Sequence, residues 1–232
     1  MTEGDATEES TVLSVQVGDI APLGPDGEPS GFVKRPVHGL VRVGILNVEG
    51  DKQADLSVHG GPEKAVYGYA ASRYAEWLAD FPEHSERLYR GAFGENLTIA
   101  GMNEADICAG DVHAIGTVRL QVCQPRQPCF KFALQFEDKR MPRAMVKSGR
   151  SGWYYRVLEE GFLQAGDTVR LVDRPHPDLP FERLVEIVNG GQASQAELTI
   201  ISRSTAVAGW LCEAAQQRVR AKAWRNAASQ QS

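Results

Sequence analysis

Short segments with strand periodicity, each closed by a turn signal, dominate the first three quarters of this chain. Residues 12–17 show the pattern clearly, because Leu13, Val15 and Val17 share one face and polar residues occupy the other. Gly-Asp pairs, which suit tight turns, precede two of the later segments. The predicted strands are 12–17, 40–48, 65–69, 97–99, 112–115, 118–123, 153–158 and 168–172. Many short strands with turn signals favour a β-barrel or a β-sandwich over a parallel sheet covered by helices.

Helical spacing occurs once inside this β-rich region and again near the C-terminus. Apolar side chains at 74, 77, 78 and 81 are spaced i, i+3, i+4 and i+7, which predicts one helix over 72–80. Beyond Pro180, the spacing and the caps predict three short helices. The first contains Phe181, Ser194 caps the second, and Ser204 or Thr205 caps a third that runs to about Ala223.

Three regions follow from these patterns. An acidic tail over 1–10 has no apolar core and is predicted to be disordered, a mostly β domain spans 11–174, and a three-helix extension spans 180–225. We expect Val207, Trp210 and Leu211 to pack on the first helix of the extension, because helices this short need a partner. We also expect the β domain to remain folded when the chain is cut at Asp173.

Composition narrows the possible partners and the compartment. The chain has 30 acidic and 25 basic residues, a net charge of −5, whereas a protein that binds duplex nucleic acid carries a basic surplus. No segment approaches the roughly 20 apolar residues of a membrane helix. The N-terminus also lacks the apolar core of a secretory signal, so we expect a cytoplasmic protein. The four cysteines have no Cys-x-x-Cys spacing, and an important cysteine would therefore act singly.

The strongest chemical signal is the segment 124–131, Gln-Pro-Arg-Gln-Pro-Cys-Phe-Lys. Two prolines stiffen the backbone before Cys129, and Arg126 and Lys131 flank it. Nearby cations favour the thiolate, which is the form that binds metals or attacks electrophiles. The alternative is a buried cysteine that serves only as a small apolar residue.

A second candidate is the segment His-Gly-Gly-Pro-Glu-Lys at 59–64. Gly60 and Gly61 allow successive backbone N–H groups to form a concave site for anionic oxygens. Lys64 adds a charge that suits phosphate, and His59 can donate or accept a hydrogen bond. An ordinary Gly-Gly-Pro turn with a surface lysine is the alternative.

Three further residues are candidates for ligand binding because of their neighbours in the sequence. Lys34 belongs to a basic pair, Asn96 follows a glycine-rich loop and offers an amide to a heterocycle, and Arg156 lies on a strand and needs an anion. Each also has a common structural explanation: a solvated lysine, an asparagine that stabilises a turn, or an arginine on a strand of core aromatic residues.

The order of these motifs resembles the MOSC family, named after the C-terminal domain of molybdenum-cofactor sulfurases, and within it the bacterial YiiM-type subgroup. The motifs are Ser30-Gly-Phe-Val-Lys-Arg-Pro, Gly50-Asp-Lys-Gln-Ala-Asp, His59-Gly-Gly-Pro-Glu-Lys, Phe93-Gly-Glu-Asn-Leu, Pro125-Arg-Gln-Pro-Cys and Gly152-Trp-Tyr-Tyr-Arg-Val. The resemblance implies a mostly β fold with some α-helix, in which a β-barrel-like domain precedes a small three-helix extension.

The resemblance also implies a site for the molybdenum cofactor. It makes Cys129 the protein ligand of molybdenum, and a polarisable thiolate suits a metal that already has sulfur ligands. The residues implied in cofactor binding are Lys34, His59, Gly60, Gly61, Lys64, Asn96, Arg126 and Arg156. Because a barrel brings distant loops to one rim, we expect Cys129 to line a basic cavity with several of these residues.

The implied reaction is the reduction of an N–OH group of a small N-hydroxylated substrate to N–H, with release of water. For the subgroup this amounts to detoxification of N-hydroxylaminopurines, with the cofactor supplying the redox chemistry. The sequence contains neither an iron–sulfur cysteine pattern nor a dinucleotide-binding fingerprint. The resemblance therefore implies a separate flavin or iron–sulfur reductase as electron donor. The alternative is a binding or carrier protein that uses Cys129 to hold sulfur or the cofactor without turnover.

Overall fold

The structure, a computed structural model, describes residues 9–55 and 60–229, with side chains described up to residue 222. Most of the predicted acidic tail, residues 1–8, lies outside the described residues. In the part of the chain that is described, no helix is long and apolar enough to cross a membrane.

Twelve strands are present in the described ranges. They are β1 (Thr11–Val17), β2 (Ala21–Leu23), β3 (Glu28–Ser30), β4 (Arg35–Val37), β5 (Val41–Val43), β6 (Val66–Ala70), β7 (Leu97–Ala100), β8 (Val112–Ile115), β9 (Val118–Pro125), β10 (Trp153–Glu159), β11 (Gly161–Leu163) and β12 (Val169–Asp173). Eight of them form one sheet in the order β12-β8-β9-β10-β6-β7-β1-β4, in which only β6 and β7 are parallel. Strands β5 and β11, and strands β2 and β3, form two small antiparallel pairs.

The large sheet curls until β1 approaches the chain just before β12. Thr11 bridges Thr168, the Val12 N–H donates to the Asp167 carbonyl at 2.9 Å, and the Val169 N–H donates to the Ser10 carbonyl at 2.7 Å. The ladder of paired strands is not closed into a full barrel within the described residues. The predicted mostly β, barrel-like fold with a helical extension is thus confirmed, in the form of a strongly curled sheet.

Six α-helices accompany the sheet in the residues described. They are α1 (Ser72–Asp80), α2 (Phe130–Phe136), α3 (Met141–Ser148), α4 (Phe181–Val188), α5 (Gln195–Arg203) and α6 (Gly209–Ser229). Two 3₁₀ helices cover Pro62–Lys64 and Pro82–Arg87. Helix α1 has the predicted bounds, and Ser194 caps α5 with a reciprocal hydrogen bond to Glu197.

Three local predictions need correction. The predicted strand 40–48 is only the three residues of β5, because the Gly44 N–H bonds the Asn47 carbonyl and turns the chain. Ser204 does not begin the last helix, since its hydroxyl accepts from the N–H groups of Ala206 and Val207 in a turn that leads to α6. Helices α2 and α3, which lie between β9 and β10, are absent from the predicted elements.

The helical extension shares its hydrophobic core with the sheet. Phe181 of α4 is buried in the same cluster as Trp153 and Leu211, and its ring meets that of Trp153 edge-on at 6.5 Å. Backbone bonds tie the two parts as well, since the Ala208 N–H donates to the Cys123 carbonyl at 2.9 Å. The expectation that the extension is separable does not agree with this packing, because an amphipathic helix buried against a sheet is part of one core.

A second cluster, made mainly of aromatic side chains, lies under α1, α2 and the loop 91–96. Phe93 stacks on Tyr69 at 4.4 Å and also contacts Trp77 and Phe132. Well-packed aromatic rings hold one arrangement of the backbone around them. This cluster therefore fixes the loop and the helix from which several predicted site residues project.

Candidate functional site

Five of the predicted site residues line one open cleft. They are Lys34, Lys64, Asn96, Arg126 and Cys129, which come from four separate parts of the chain. Tyr67 and Tyr154 also line this cleft, with their rings 5.0 Å apart. The fold therefore brings Cys129 to one cleft with Lys64 and Arg126.

Cys129 lies at the junction between β9 and α2. It is the residue before the first turn of α2, and its carbonyl accepts from the Phe132 N–H at 3.0 Å. Phe132 and Phe136 anchor that helix in the aromatic cluster, with their rings 5.2 Å apart. The thiol is consequently held half-buried at the wall of the cleft rather than on a mobile loop.

Arg126 is a cation built into the wall of the cleft. Its guanidinium lies 4.9 Å from the ring centroid of Phe32 and 4.8 Å from that of Tyr67, and its side chain is only 7% exposed. One terminal nitrogen donates to the Phe93 carbonyl at 2.8 Å. Its Nε has no hydrogen-bond partner within the described residues. A buried donor without an acceptor is uncommon and is what a bound anion would satisfy.

Lys34 is buried in an ion pair rather than directed at a ligand. Its ammonium donates to Asp51, and the same carboxylate oxygen accepts from the Gly18 N–H at 2.8 Å. Burial lowers the pKa of Lys34, and the attraction of Asp51 opposes this change. The prediction that Lys34 binds the cofactor is therefore revised: the geometry gives it the role of balancing a buried carboxylate at the edge of the cleft.

Asn96 links the sheet to that ion pair. Its amide nitrogen donates to Asp51 Oδ2 at 3.0 Å and to the Gln16 carbonyl at 3.2 Å, while its Oδ1 accepts from the Tyr67 N–H at 3.0 Å. Both N–H donors of the amide are thus used inside the fold. Asn96 lines the cleft, but its amide group holds neighbouring parts of the fold together. The sequence had predicted an amide that is available to a ligand.

Two buried carboxylates were missed as site residues. Asp51 holds Lys34 and Asn96 together, and Glu95 accepts hydrogen bonds from the N–H groups of Gly91 and Phe93 at 2.7 and 3.1 Å. Burial raises the pKa of Glu95, and its hydrogen bonds oppose the shift. Both acids belong to motifs quoted above, and each directly follows a glycine. That position in a motif is the sequence feature that could have identified them as site residues.

Lys64 is another cation that lines the cleft. It ends the 3₁₀ helix Pro62–Lys64 and is half-buried, and both burial and the charge of Arg126 lower the pKa of its ammonium. Because the positive charges of Lys64 and Arg126 repel each other, binding of an anionic ligand between them is favourable. Gly60 and Gly61 precede this helix and shape the turn, with Gly61 at a φ of 92°, but they are not among the residues lining the cleft.

The two remaining predicted residues lie elsewhere. His59 falls in the stretch 56–59, outside the described residues. Arg156 faces away from the cleft and finds its anion in Glu63, whose Oε1 accepts from Arg156 Nη2 at 2.8 Å. Its other amino group donates to the Thr205 carbonyl at 3.1 Å. The geometry therefore makes Arg156 a link between the Lys64 turn and the helical extension.

A further group of potential metal ligands, Glu83, His84 and Asp138, lies apart from the cleft. Arg140 forms ion pairs with both Glu83 and Asp138, and these bonds lower the pKa of Asp138. Because Arg140 already pairs with both carboxylates, this group is a structural ion-pair network.

Comparison with known proteins places the chain among MOSC proteins. The MOSC domain model matches residues 55–170. The chain is 44% identical over 169 residues to the uncharacterized protein YflK of Bacillus subtilis, covering 72% of this chain and 75% of that protein. It is 38% identical over 150 residues to protein YiiM of Escherichia coli, covering 65% of this chain and 67% of that protein.

Two other similarities bear on fold and length. The crystal structure of YiiM from Geobacillus stearothermophilus superposes with a TM-score of 0.74 at 31% identity, covering 90% of this chain and 99% of that one. A protein named "Reductase" from Gibberella moniliformis is 35% identical over 193 residues, which is 81% of this chain but only 34% of that protein. The chain thus spans about a third of the length of that relative.

Proposed function

This chain belongs to the MOSC domain family, and from that premise we propose that it is a molybdenum-cofactor-dependent reductase of small N-hydroxylated bases. The observation that carries the proposal is the pairing of a half-buried thiol, Cys129, with a buried guanidinium that has an unused donor, Arg126, in one basic cleft. The name of the fungal relative, "Reductase", supports the reaction class.

The residues of the cleft fit the chemical groups of the cofactor. A thiolate at Cys129 is a soft ligand of the kind that suits a metal with other sulfur ligands. The unused Nε of Arg126 and the ammonium of Lys64 suit a phosphate.

The bound cofactor supplies the two-electron redox chemistry. In the overall reaction the N–O bond of the substrate breaks, two electrons and two protons are taken up, and the oxygen leaves as water. Tyr154 lines the cleft, and burial raises the pKa of its hydroxyl, which therefore keeps its proton and can donate a hydrogen bond there. Tyr67 and Phe32 exclude water around Arg126 and so strengthen its attraction for an anion.

Electrons come from a separate reductase that carries a flavin or an iron–sulfur centre in this proposal. The sequence has neither the cysteine pattern of an iron–sulfur cluster nor a dinucleotide fingerprint. The relative named "Reductase" extends well beyond the region shared with this chain.

The test is the metal content and activity of protein made in a host that synthesises the cofactor. We expect the wild type to retain about one molybdenum per chain, as a single thiolate ligand implies, and to reduce an N-hydroxylated base with an artificial electron donor. Cys129→Ser should lose both, because a hydroxyl is a poorer ligand for this metal. Cys212→Ser is the matched control, since Cys212 is also half-buried but lies on α6 outside the residues lining the cleft.

The same experiment separates this function from the carrier alternative. Full activity of Cys129→Ser would contradict the proposed mechanism. A wild-type chain that contains no molybdenum but gains the mass of one sulfur atom on Cys129 would favour the carrier.

A further inference from the structure

The turn that carries Lys64 is tied to the helical extension through its neighbour, Glu63. The Glu63 carboxylate accepts from the N–H of Gly209, the first residue of α6, at 3.0 and 3.2 Å for its two oxygens. It also accepts from Arg156 Nη2 at 2.8 Å. Lys64, the next residue, lines the cleft, so one short turn touches both the extension and the site.

The backbone of the same turn is held by a second set of bonds. The Glu63 carbonyl accepts from Gln124 Nε2 at 2.8 Å and from the Cys123 thiol at 3.1 Å. The Gln124 side chain in turn accepts from the Trp210 indole N–H of α6 at 2.7 Å. The start of α6 therefore reaches the turn by two routes, one through the Glu63 side chain and one through its carbonyl.

Arg156 extends the first route to the segment before α6. Its guanidinium donates to the carbonyls of Thr205 and Val207, at 3.1 and 3.4 Å, as well as to Glu63. Its side chain is mostly buried between these partners, with 22% exposure. An ion pair in such a position is held by several geometric constraints and is more specific than a surface pair.

The turn needs this support for a physical reason. A three-residue 3₁₀ helix has poor hydrogen-bond geometry and little stability of its own. The positive end of the 21-residue helix α6 favours a carboxylate at Gly209. External contacts therefore decide where the turn lies, and with it the Lys64 side chain.

We propose that Glu63 is a positioning residue: by joining the Lys64 turn to the start of α6, it sets the place of the Lys64 ammonium in the cleft. The inference rests on the proposed function, in which Lys64 binds the phosphate of the cofactor. It assigns the helical extension a role in the site, although the residues that line the cleft all precede the extension.

A double-mutant cycle on the full chain tests this role. The variants are Glu63→Gln, Lys64→Ala and the two combined, and the readout is the dissociation constant of inorganic phosphate for the cofactor-free chain, from calorimetry. We expect Lys64→Ala to weaken binding about tenfold, as for loss of one charge-assisted bond, and Glu63→Gln to weaken it about threefold to tenfold. The double variant should be no weaker than Lys64→Ala, because Glu63 acts through Lys64.

The controls separate positioning from folding. Glu213→Gln removes the same charge from an exposed position beyond the first turn of α6 and should leave the dissociation constant unchanged. Glu63→Asp, which keeps the carboxylate, should restore part of the affinity. Trp210→Phe removes only the indole donor of the second route and should show a smaller loss, about twofold to threefold, with the same dependence on Lys64. Trp210→Phe tests the proposal in its place if Glu63→Gln does not fold.

Losses that add in the double variant would overturn the proposal, as would wild-type affinity in Glu63→Gln or a wild type that binds no phosphate. The molybdenum retained per chain after gel filtration is a second readout and should follow the same order. A wild type that binds phosphate but no molybdenum would contradict the proposed function alone, so the two failures are distinguishable.

Discussion

Arg126 shows how a single residue can specify the chemistry of a cleft. Two aromatic rings lie against its guanidinium and one carbonyl accepts from it, yet its Nε is left for a ligand. Because an arginine stays protonated even when buried, the charge is permanent. The combination of a fixed charge and an unused donor explains why an acidic chain, with a net charge of −5, has a cleft suited to an anion.

His113 is a buried residue that makes stability depend on pH. Its ring bonds the Tyr155 hydroxyl at 2.8 Å, and burial lowers its pKa from 6.5 to about 4. The unfolded chain therefore binds the proton more readily than the folded chain between these values. The contribution of neutral His113 to the free energy of unfolding should be fully present above pH 6.5. The free energy of unfolding should then fall by about 3 kcal/mol as the pH drops to about 4.

The measurement is urea unfolding of the wild type and of His113→Gln at pH 7 and pH 4.5. Glutamine retains a polar partner for Tyr155 but does not titrate, so the variant should lose less stability on acidification. Equal losses in the two proteins would show that other groups cause the acid sensitivity.

At the scale of elements, the loop 91–96 connects the aromatic cluster with the cleft. The buried carboxylate of Glu95 binds the N–H groups of Gly91 and Phe93, and also accepts from Tyr74 and Thr98. The Phe93 carbonyl, at the centre of the loop, holds Arg126. Glu95 thus fixes the conformation of the loop, and the loop fixes the position of the Arg126 guanidinium.

Glu95→Gln should therefore weaken both the fold and the site. An amide can place an N–H group against the donors that the carboxylate satisfied, which costs about 1–3 kcal/mol for a buried group. We expect a lower thermal unfolding temperature and weaker phosphate binding. Glu86→Gln is the matched control, since Glu86 is exposed in the 3₁₀ helix Pro82–Arg87. If phosphate affinity is unchanged in Glu95→Gln, the loop does not control Arg126.

At the scale of the whole molecule, the sheet and the helical extension form one hydrophobic core. Phe181 and Leu184 of α4 and Leu211 of α6 are buried with residues of the sheet such as Trp153 and Val122. Removing the extension would expose these apolar faces of the sheet to water, at about 25 cal/mol for each Å². Loss of a shared core destabilises both of its parts.

Truncation at Asp173 should consequently give an unstable or aggregating β domain. Circular dichroism and binding of a hydrophobic dye would detect this change, and Phe181→Ala in the full chain should already cost about 3–5 kcal/mol. A truncated chain that unfolds cooperatively near the temperature of the full chain would show that the extension is independent after all.

Local sequence patterns determined much of this protein. Alternation and turn residues predicted the majority of strands, spacing predicted α1 with its bounds, and Ser194 was identified as a cap. The order of motifs indicates the family, and one of these motifs contains both Arg126 and Cys129. These features depend on residues close in sequence, which is why a linear chain reveals them.

Only the tertiary structure decided which side chains of the candidate site contact each other. It paired Lys34 with Asp51, used both donors of Asn96 inside the fold, and gave Arg156 its anion in Glu63. It also buried the extension against the sheet. Each of these contacts joins residues that are distant in sequence, and their partners are set by how the sheet curls and packs. Periodicity along the chain reports which face of an element is apolar, but not which element covers it.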